Sequence, residues 1–128
     1  MPDTPFQVEL VAVESRIYSG EATFVVAQTT EGAIGLLAHH EPTLGQLAPG
    51  GYVAIDEVGG KRLVAAVQGG FISVTGEVVT ILAEAAEWAG DVDEAAERSV
   101  LESAEKGSVE FLRAESRLRA VDVLQQVK

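Results

Sequence analysis

Up to Trp88 the apolar positions of this chain alternate with polar ones or cluster in short runs; beyond it they recur at helical spacing. Phe6–Val13 (FQVELVAV) sets Gln7 and Glu9 against Val8 and Leu10 before turning wholly apolar, which predicts a strand half exposed at its start. A turn is expected at Ser19–Gly20, then a second strand over Ala22–Gln28. Short strands around Ala33–Leu37 and Leu44–Leu47 bracket a glycine-rich segment. Tyr52–Val58 ends at Gly59–Gly60, a hairpin signal, and Arg62–Gln68 is its return strand. Gly69–Gly70 is expected to break that strand. Phe71–Thr75 resumes it, and Gly76–Glu77 turns the chain into Val78–Ala83. Strands this short, with turn signals about every eight to twelve residues, predict an antiparallel β-sandwich or barrel.

After Trp88 the period changes. Asp91 stands three residues ahead of Glu94, a capping-box start, and Val92, Ala95, Ala96, Val100, Leu101 and Ala104 follow at helical spacing. Gly107 then reads as a C′ glycine and Ser108 as the N-cap of a second helix to about Gln126, leaving one or two residues between antiparallel helices. Phe111, Ala114, Leu118 and Val121 form one apolar strip; Val109, Leu112, Val123 and Val127 form another, roughly opposite. Glu94–Arg98, Glu102–Lys106 and Glu115–Arg119 stand at i,i+4 in the favourable order. A first helix offering mostly alanine removes little area from water at about 25 cal/mol per Å². The hairpin must therefore dock on the sandwich or on a partner. The expected division is a sandwich over 1–88 and a two-helix hairpin over 89–128.

The segment Glu31–Gly51, EGAIGLLAHHEPTLGQLAPGG, is the densest in turn chemistry. Its five glycines permit positive φ or close approach, and Pro42 and Pro49 remove ladder donors. It reads as corners that bring His39, His40 and Glu41 to a rim. Two adjacent histidines point apart on a strand or corner, and no cysteine or third histidine completes a metal set. No Gly-x-Ser-x-Gly elbow supports a hydrolase triad around Ser73 or Ser99. Gly69–Gly70 precedes a strand instead of opening a helix, so the logic of a phosphate loop fails there.

Charge narrows the partners. Twenty acidic against nine basic residues among 128 give a formal charge of −11, which opposes nucleic acid and anionic headgroups. No run approaches the roughly eighteen apolar residues that a membrane span needs, and MPDTPFQ lacks the flanks of a signal peptide. These observations predict a soluble intracellular protein with no direct membrane insertion.

The order of several motifs resembles one family, the epsilon subunit of the bacterial F-type ATP synthase. Gly32–Ala33–Ile34–Gly35–Leu36 matches its Gly-x-x-Gly-hydrophobic pattern, and His40–Glu41–Pro42 its His-x-Pro. Gly50 or Gly51, Gly69–Gly70–Phe71, Ile81–Leu82–Ala83, Ala86–Glu87 and Val92–Asp93 continue it, and Arg113–Ala114 with Arg117–Leu118 matches Arg-Ala-x-x-Arg-Leu. The resemblance implies a ten-stranded β-sandwich followed by an α-helical hairpin. It implies a non-catalytic central-stalk subunit without a required cofactor or metal, peripheral on the cytoplasmic face of the plasma membrane. Its expected partners are the gamma subunit and the c-ring, with the alpha/beta head when the hairpin extends and inhibits ATP hydrolysis. The expected subunit contacts are Glu31, Gly32, Ala33 and Ile34 with His39, His40, Glu41 and Pro42. Some members bind ATP between sandwich and hairpin; Glu87, Asp93, Arg113 and Arg117 match that pattern, but Ala96 replaces its arginine. Apart from the resemblance, a free-standing sandwich for a carbohydrate or peptide is the alternative, poorly supported at 5% aromatic residues.

Overall fold

Five of the seven strands close on themselves because the first pairs with both the second and the last. The computed structural model describes residues 4–13, 15–76 and 78–125. The expectations placed on Glu77, Gln126 and Val127 lie outside the described residues. Strands β1 (Phe6–Ala12), β2 (Ser15–Thr29), β3 (Gly32–Leu36), β4 (Thr43–Gln46), β5 (Gly51–Glu57), β6 (Arg62–Thr75) and β7 (Val78–Trp88) follow in order. A 3₁₀ turn at Ala89–Asp91 leads to α1 (Glu94–Ser103) and α2 (Val109–Gln125). Pairing runs β1-β7-β6-β5-β2-β3, β4 adds to β6, and β1 also pairs with β2. The β1–β7 pair is parallel, the one departure from the antiparallel expectation.

Three strands are longer than their sequence patterns suggest. Ser19–Gly20 is no turn: Ser19 pairs with Glu9 and Gly20 with Val8 inside β2. A Cβ on Gly20 would stand 2.5 Å from the Tyr18 hydroxyl, so the glycine makes room for that ring. Gly69–Gly70 likewise does not break β6, whose register with β7 is the same from Ala65↔Trp88 to Thr75↔Val78. Gly70 has φ +111°, and a Cβ there would collide with the Leu82 carbonyl oxygen. Glycine therefore lets the two strands stay paired through a bend. Because β2, β6 and β7 each serve both layers, seven continuous strands supply the two-layered sandwich.

The layers enclose Phe6, Val8, Leu10, Val25, Leu36, Leu47, Val53, Ile55, Val67, Ile72 and Ile81, with no helical residue among them. The helices form a separate cluster on the outside of β5 and β6. The hairpin turn is also wider than expected. α1 ends at Ser103, whose hydroxyl bonds back to the Ser99 carbonyl at 3.0 Å and competes with the helix ladder. Residues 104–108 lie between the helices, so Gly107 is not the C′ residue of α1, and Lys106 stands beyond the helix without a Glu102 pair. Ser108 does cap α2, accepting the Phe111 amide at 3.2 Å. The cap of α1 is Asp93, not Asp91: its carboxylate accepts the Ala96 amide at 3.2 Å, while Asp91 closes the 3₁₀ turn.

Candidate functional site

β5 and β6 are apolar on both faces because α2 covers the outer one. Val53, Ile55, Ala65 and Val67 face the sandwich interior, whereas Ala54, Val64 and Ala66 meet Ala89, Ala120 and Val121 outside. Nearly everything at this contact is small. Ser116, fully buried one turn before Ala120, places its hydroxyl 2.5 Å from the Gly51 carbonyl oxygen and 3.2 Å from that of Val67.

Beside this contact a cleft of about 40 Å³ opens between α2 and the outer face of β6 and β7, lined by Gln68, Glu87, Arg113, Arg117 and three alanines. Arg117 spans it, with Nε 2.7 Å from Glu87 Oε1 and Nη1 3.0 Å from Glu97 Oε2 of α1. Arg113 is exposed and makes no ion pair among the described residues. Three of the four nucleotide-site candidates thus line one cleft. Asp93 does not; it caps α1. Ala96 is exposed, and Arg98 turns away to Glu94 at 3.3 Å. The residues present do not fit ATP. Small-molecule sites run to roughly 300–1,000 Å³, and this cleft has room for one or two waters. Its bridging guanidinium is already shared by two carboxylates. Glu97 and Ser116 were not singled out from the sequence, although Ser116 stands at i,i+4 from the apolar Leu112 and Ala120.

The predicted rim resolves into two places. Glu31 lies in the turn between β2 and β3, with Gly32, Ala33 and Ile34 following along β3. His39, His40, Glu41 and Pro42 lie beyond the other end, in the loop to β4. The five residues of β3, about 17 Å at some 3.4 Å per residue, separate Glu31 from the His39–Pro42 loop. His39 is exposed with φ 65°, and His40 Nδ1–H donates to the Glu41 carbonyl at 2.9 Å.

A larger surface runs across β4, β6, β7 and β1. Phe71 pairs with Gln46 on one side and Leu82 on the other, and Leu82 pairs with Val11. Strand alternation puts Leu44 on the same face as Phe71 and Leu82, and Val13, just past the end of β1, lines a hollow with them. All four are exposed, Val13 by 76% and Leu44 by 74%. A hollow of about 370 Å³ beside Val13, Phe71 and Leu82, and another of about 320 Å³ beside Pro42 and Leu44, make the face uneven. Elsewhere on the sandwich, Tyr18 donates to Glu57 at 2.7 Å and meets Trp88 edge-on at 6.0 Å. Burial, then the bond to Glu57 and its charge, push the Tyr18 phenol well above its ordinary value.

A family model described as the β-sandwich domain of the ATP synthase delta/epsilon chain matches residues 5–89. The ATP synthase epsilon chain of Nocardia farcinica is 56% identical over 115 residues, covering 90% of this chain and 88% of that one. That of Rhodococcus erythropolis is 56% identical over 116 residues, covering 90% and 94%. The chain belongs to the ATP synthase epsilon chain family. A chain in the Euglena gracilis mitochondrial ATP synthase (OSCP/F1/c-ring) superposes with TM-score 0.65 at 26% identity, over 92% of this chain and 78% of that one. A chain of the Tetrahymena thermophila mitochondrial ATP synthase central stalk and c-ring shares the fold at TM-score 0.57 and 18% identity, with 92% of each covered. These matches do not favour a free-standing carbohydrate- or peptide-binding sandwich. Among the described residues no helix is long and apolar enough to cross a membrane.

Proposed function

We propose that this chain is the non-catalytic central-stalk subunit of a proton-driven rotary ATP synthase, linking the c-ring to the catalytic head through the gamma subunit. The observation that carries the reading is the apolar face of Leu44, Phe71, Leu82 and Val13, exposed on a chain of net charge −11 with an epsilon-chain sandwich. Uncovered apolar area of this kind marks a surface that a partner covers. Gamma is the occupant that the family's place in the stalk supplies. Glu31–Ile34, which run from the β2–β3 turn into β3, and the His39–Pro42 loop are the contacts assigned to the c-ring and the base of gamma. Residues 1–88 are the docking unit and 89–128 the regulatory hairpin, which inhibits ATP hydrolysis on reaching the alpha/beta head. The subunit sits peripherally on the cytoplasmic face of the bacterial plasma membrane. It performs no chemistry and needs no cofactor.

Leu82 is 49% exposed, so Leu82→Glu changes the face without opening the core. Together with Phe71→Asp it is expected to abolish co-purification with gamma while leaving the thermal midpoint of the isolated chain within a few degrees. Full retention of gamma by the double variant overturns this reading.

A further inference from the structure

Among the described residues Ser116 is the one polar side chain buried in the core, and it lies on the helix that must leave the sandwich if the hairpin is ever to extend. Its hydroxyl stands within hydrogen-bond distance of two carbonyl oxygens, those of Gly51 and Val67. These residues are partners in the β5–β6 ladder, so a single hydroxyl bridges two adjacent strands at one register position. A hydroxyl has one proton and reaches the nearer oxygen, Gly51, most strongly. The surroundings make that bond count. Ala120, Ala54 and Ala66 are all buried, and each removes little apolar area. Small side chains bring helix and sheet close and exclude water, but they supply few interlocking contacts. A hydrogen bond in such a dry seam is specific in position, and the alanines around it cannot replace it.

We infer that Ser116 is a positioning residue, a hydroxyl latch that sets the docked position of the hairpin on β5 and β6 and governs how readily it lifts. The latch belongs to this chain alone and leans on the stalk reading only for its consequence, a hairpin held against the sandwich. Arg117, the next residue, secures the rim of the same contact through Glu87 and Glu97. The two act by different physics: the ion pair is part-exposed and screened by salt, whereas the hydroxyl bond is buried and is not.

The test uses the isolated full chain. Trp88, the one tryptophan, ends β7 at the root of the hairpin and shares a hollow with Leu124 of α2, so its emission reports docking. Ser116→Ala keeps the close fit and removes the donor. The expected result is amide exchange in α1 and α2 faster by about five- to a hundredfold, with a red shift of Trp88 emission. Exchange at Leu10, Ile72 and Ile81 in the sandwich stays as it was, and the shift is the same in low and high salt. Unchanged hairpin exchange overturns the latch. So does equal acceleration of sandwich and hairpin, which makes Ser116 an ordinary core residue, and so does an effect that disappears in high salt. Because nothing in the assay depends on gamma, a failed latch leaves the docking reading intact, and failed gamma capture leaves the latch intact.

Discussion

The guanidinium of Arg117 in α2 stands 2.7 Å from the carboxylate of Glu87 near the end of β7. Glu97 of α1 holds its other arm at 3.0 Å, so one side chain joins sandwich, first helix and second helix. Each such part-exposed pair contributes roughly 1 kcal/mol or less, enough to bias a hairpin that docks through alanines.

That arrangement bears on nucleotide binding. A polyanion entering the cleft must displace two carboxylates from Arg117 and widen about 40 Å³ severalfold, without the guanidinium that Ala96 lacks. A charge-assisted hydrogen bond is worth about 1.5–3 kcal/mol, so the missing arginine lowers affinity by roughly ten- to a hundredfold. The isolated chain is expected to bind ATP weakly or not at all by calorimetry. Micromolar binding that disappears with Arg113→Ala shows otherwise.

Stopping the chain after Trp88 is expected to leave a folded sandwich, because no helical residue contributes to its interior cluster. The exposed cost is the small patch of Ala54, Val64 and Ala66. Assembly persists and hydrolysis by the complex rises. Circular dichroism and ATPase assays check the two halves, and hydrolysis unchanged at any driving force removes the inhibitory role.

Gly70→Ala meets both a left-handed φ and the Leu82 carbonyl. The strain alone costs on the order of 1–3 kcal/mol, and the overlap adds to it. A fall in Tm of at least about 5 °C is expected, at roughly 4–8 °C per kcal/mol for a domain of this size. A Tm equal to that of the parent shows that β6 and β7 can part there without penalty.

Tyr18 supplies a pH prediction. Its phenol titrates above the ordinary 10.0, first through burial and then through the bond to Glu57. A raised folded value means the folded state holds the proton longer, so this stability is fully present below about pH 10. It is lost as pH climbs toward the folded value. In Tyr52→Phe, which leaves Tyr18 as the sole tyrosine, phenolate absorbance should lag behind free tyrosine. Coincident titration curves contradict the geometry.

Charge reversal at the exposed Glu31 is a clean test of the β2–β3 turn. Glu31→Lys is expected to weaken c-ring coupling with no change in Tm. Gly32 is a poorer site, since φ +119° strains any side chain placed there. Proton-coupled synthesis at the parental rate in membranes carrying Glu31→Lys argues against the contact.

Much of this was legible along the chain because turn chemistry and periodicity are local. The hairpin at Gly59–Gly60, the Ser108 cap, the short strands about Ala33 and Leu44 and the two-helix ending all follow from neighbours in sequence. The run Val64–Val67 also carried an unread signal, since unbroken apolar residues mark a strand covered on both faces. The cleft was half legible: the motif pointed to Glu87, Arg113 and Arg117, but Glu97 had no pattern of its own.

Local pattern along the chain established the inventory: strands, corners, capped helices and the family to which they belong. Tertiary structure decided that β2 runs straight through Ser19–Gly20 and β6 through Gly69–Gly70, because each strand is held by partners far along the chain. It decided that the rim is two corners at opposite ends of β3. It also decided which face of α2 meets the sheet. Helical spacing offered two apolar strips, roughly opposite, and both carry buried residues: Ser116 and Ala120, on the side of Leu112 and Val123, reach β5 and β6, whereas Ala114 and Val121 belong to the Phe111 strip.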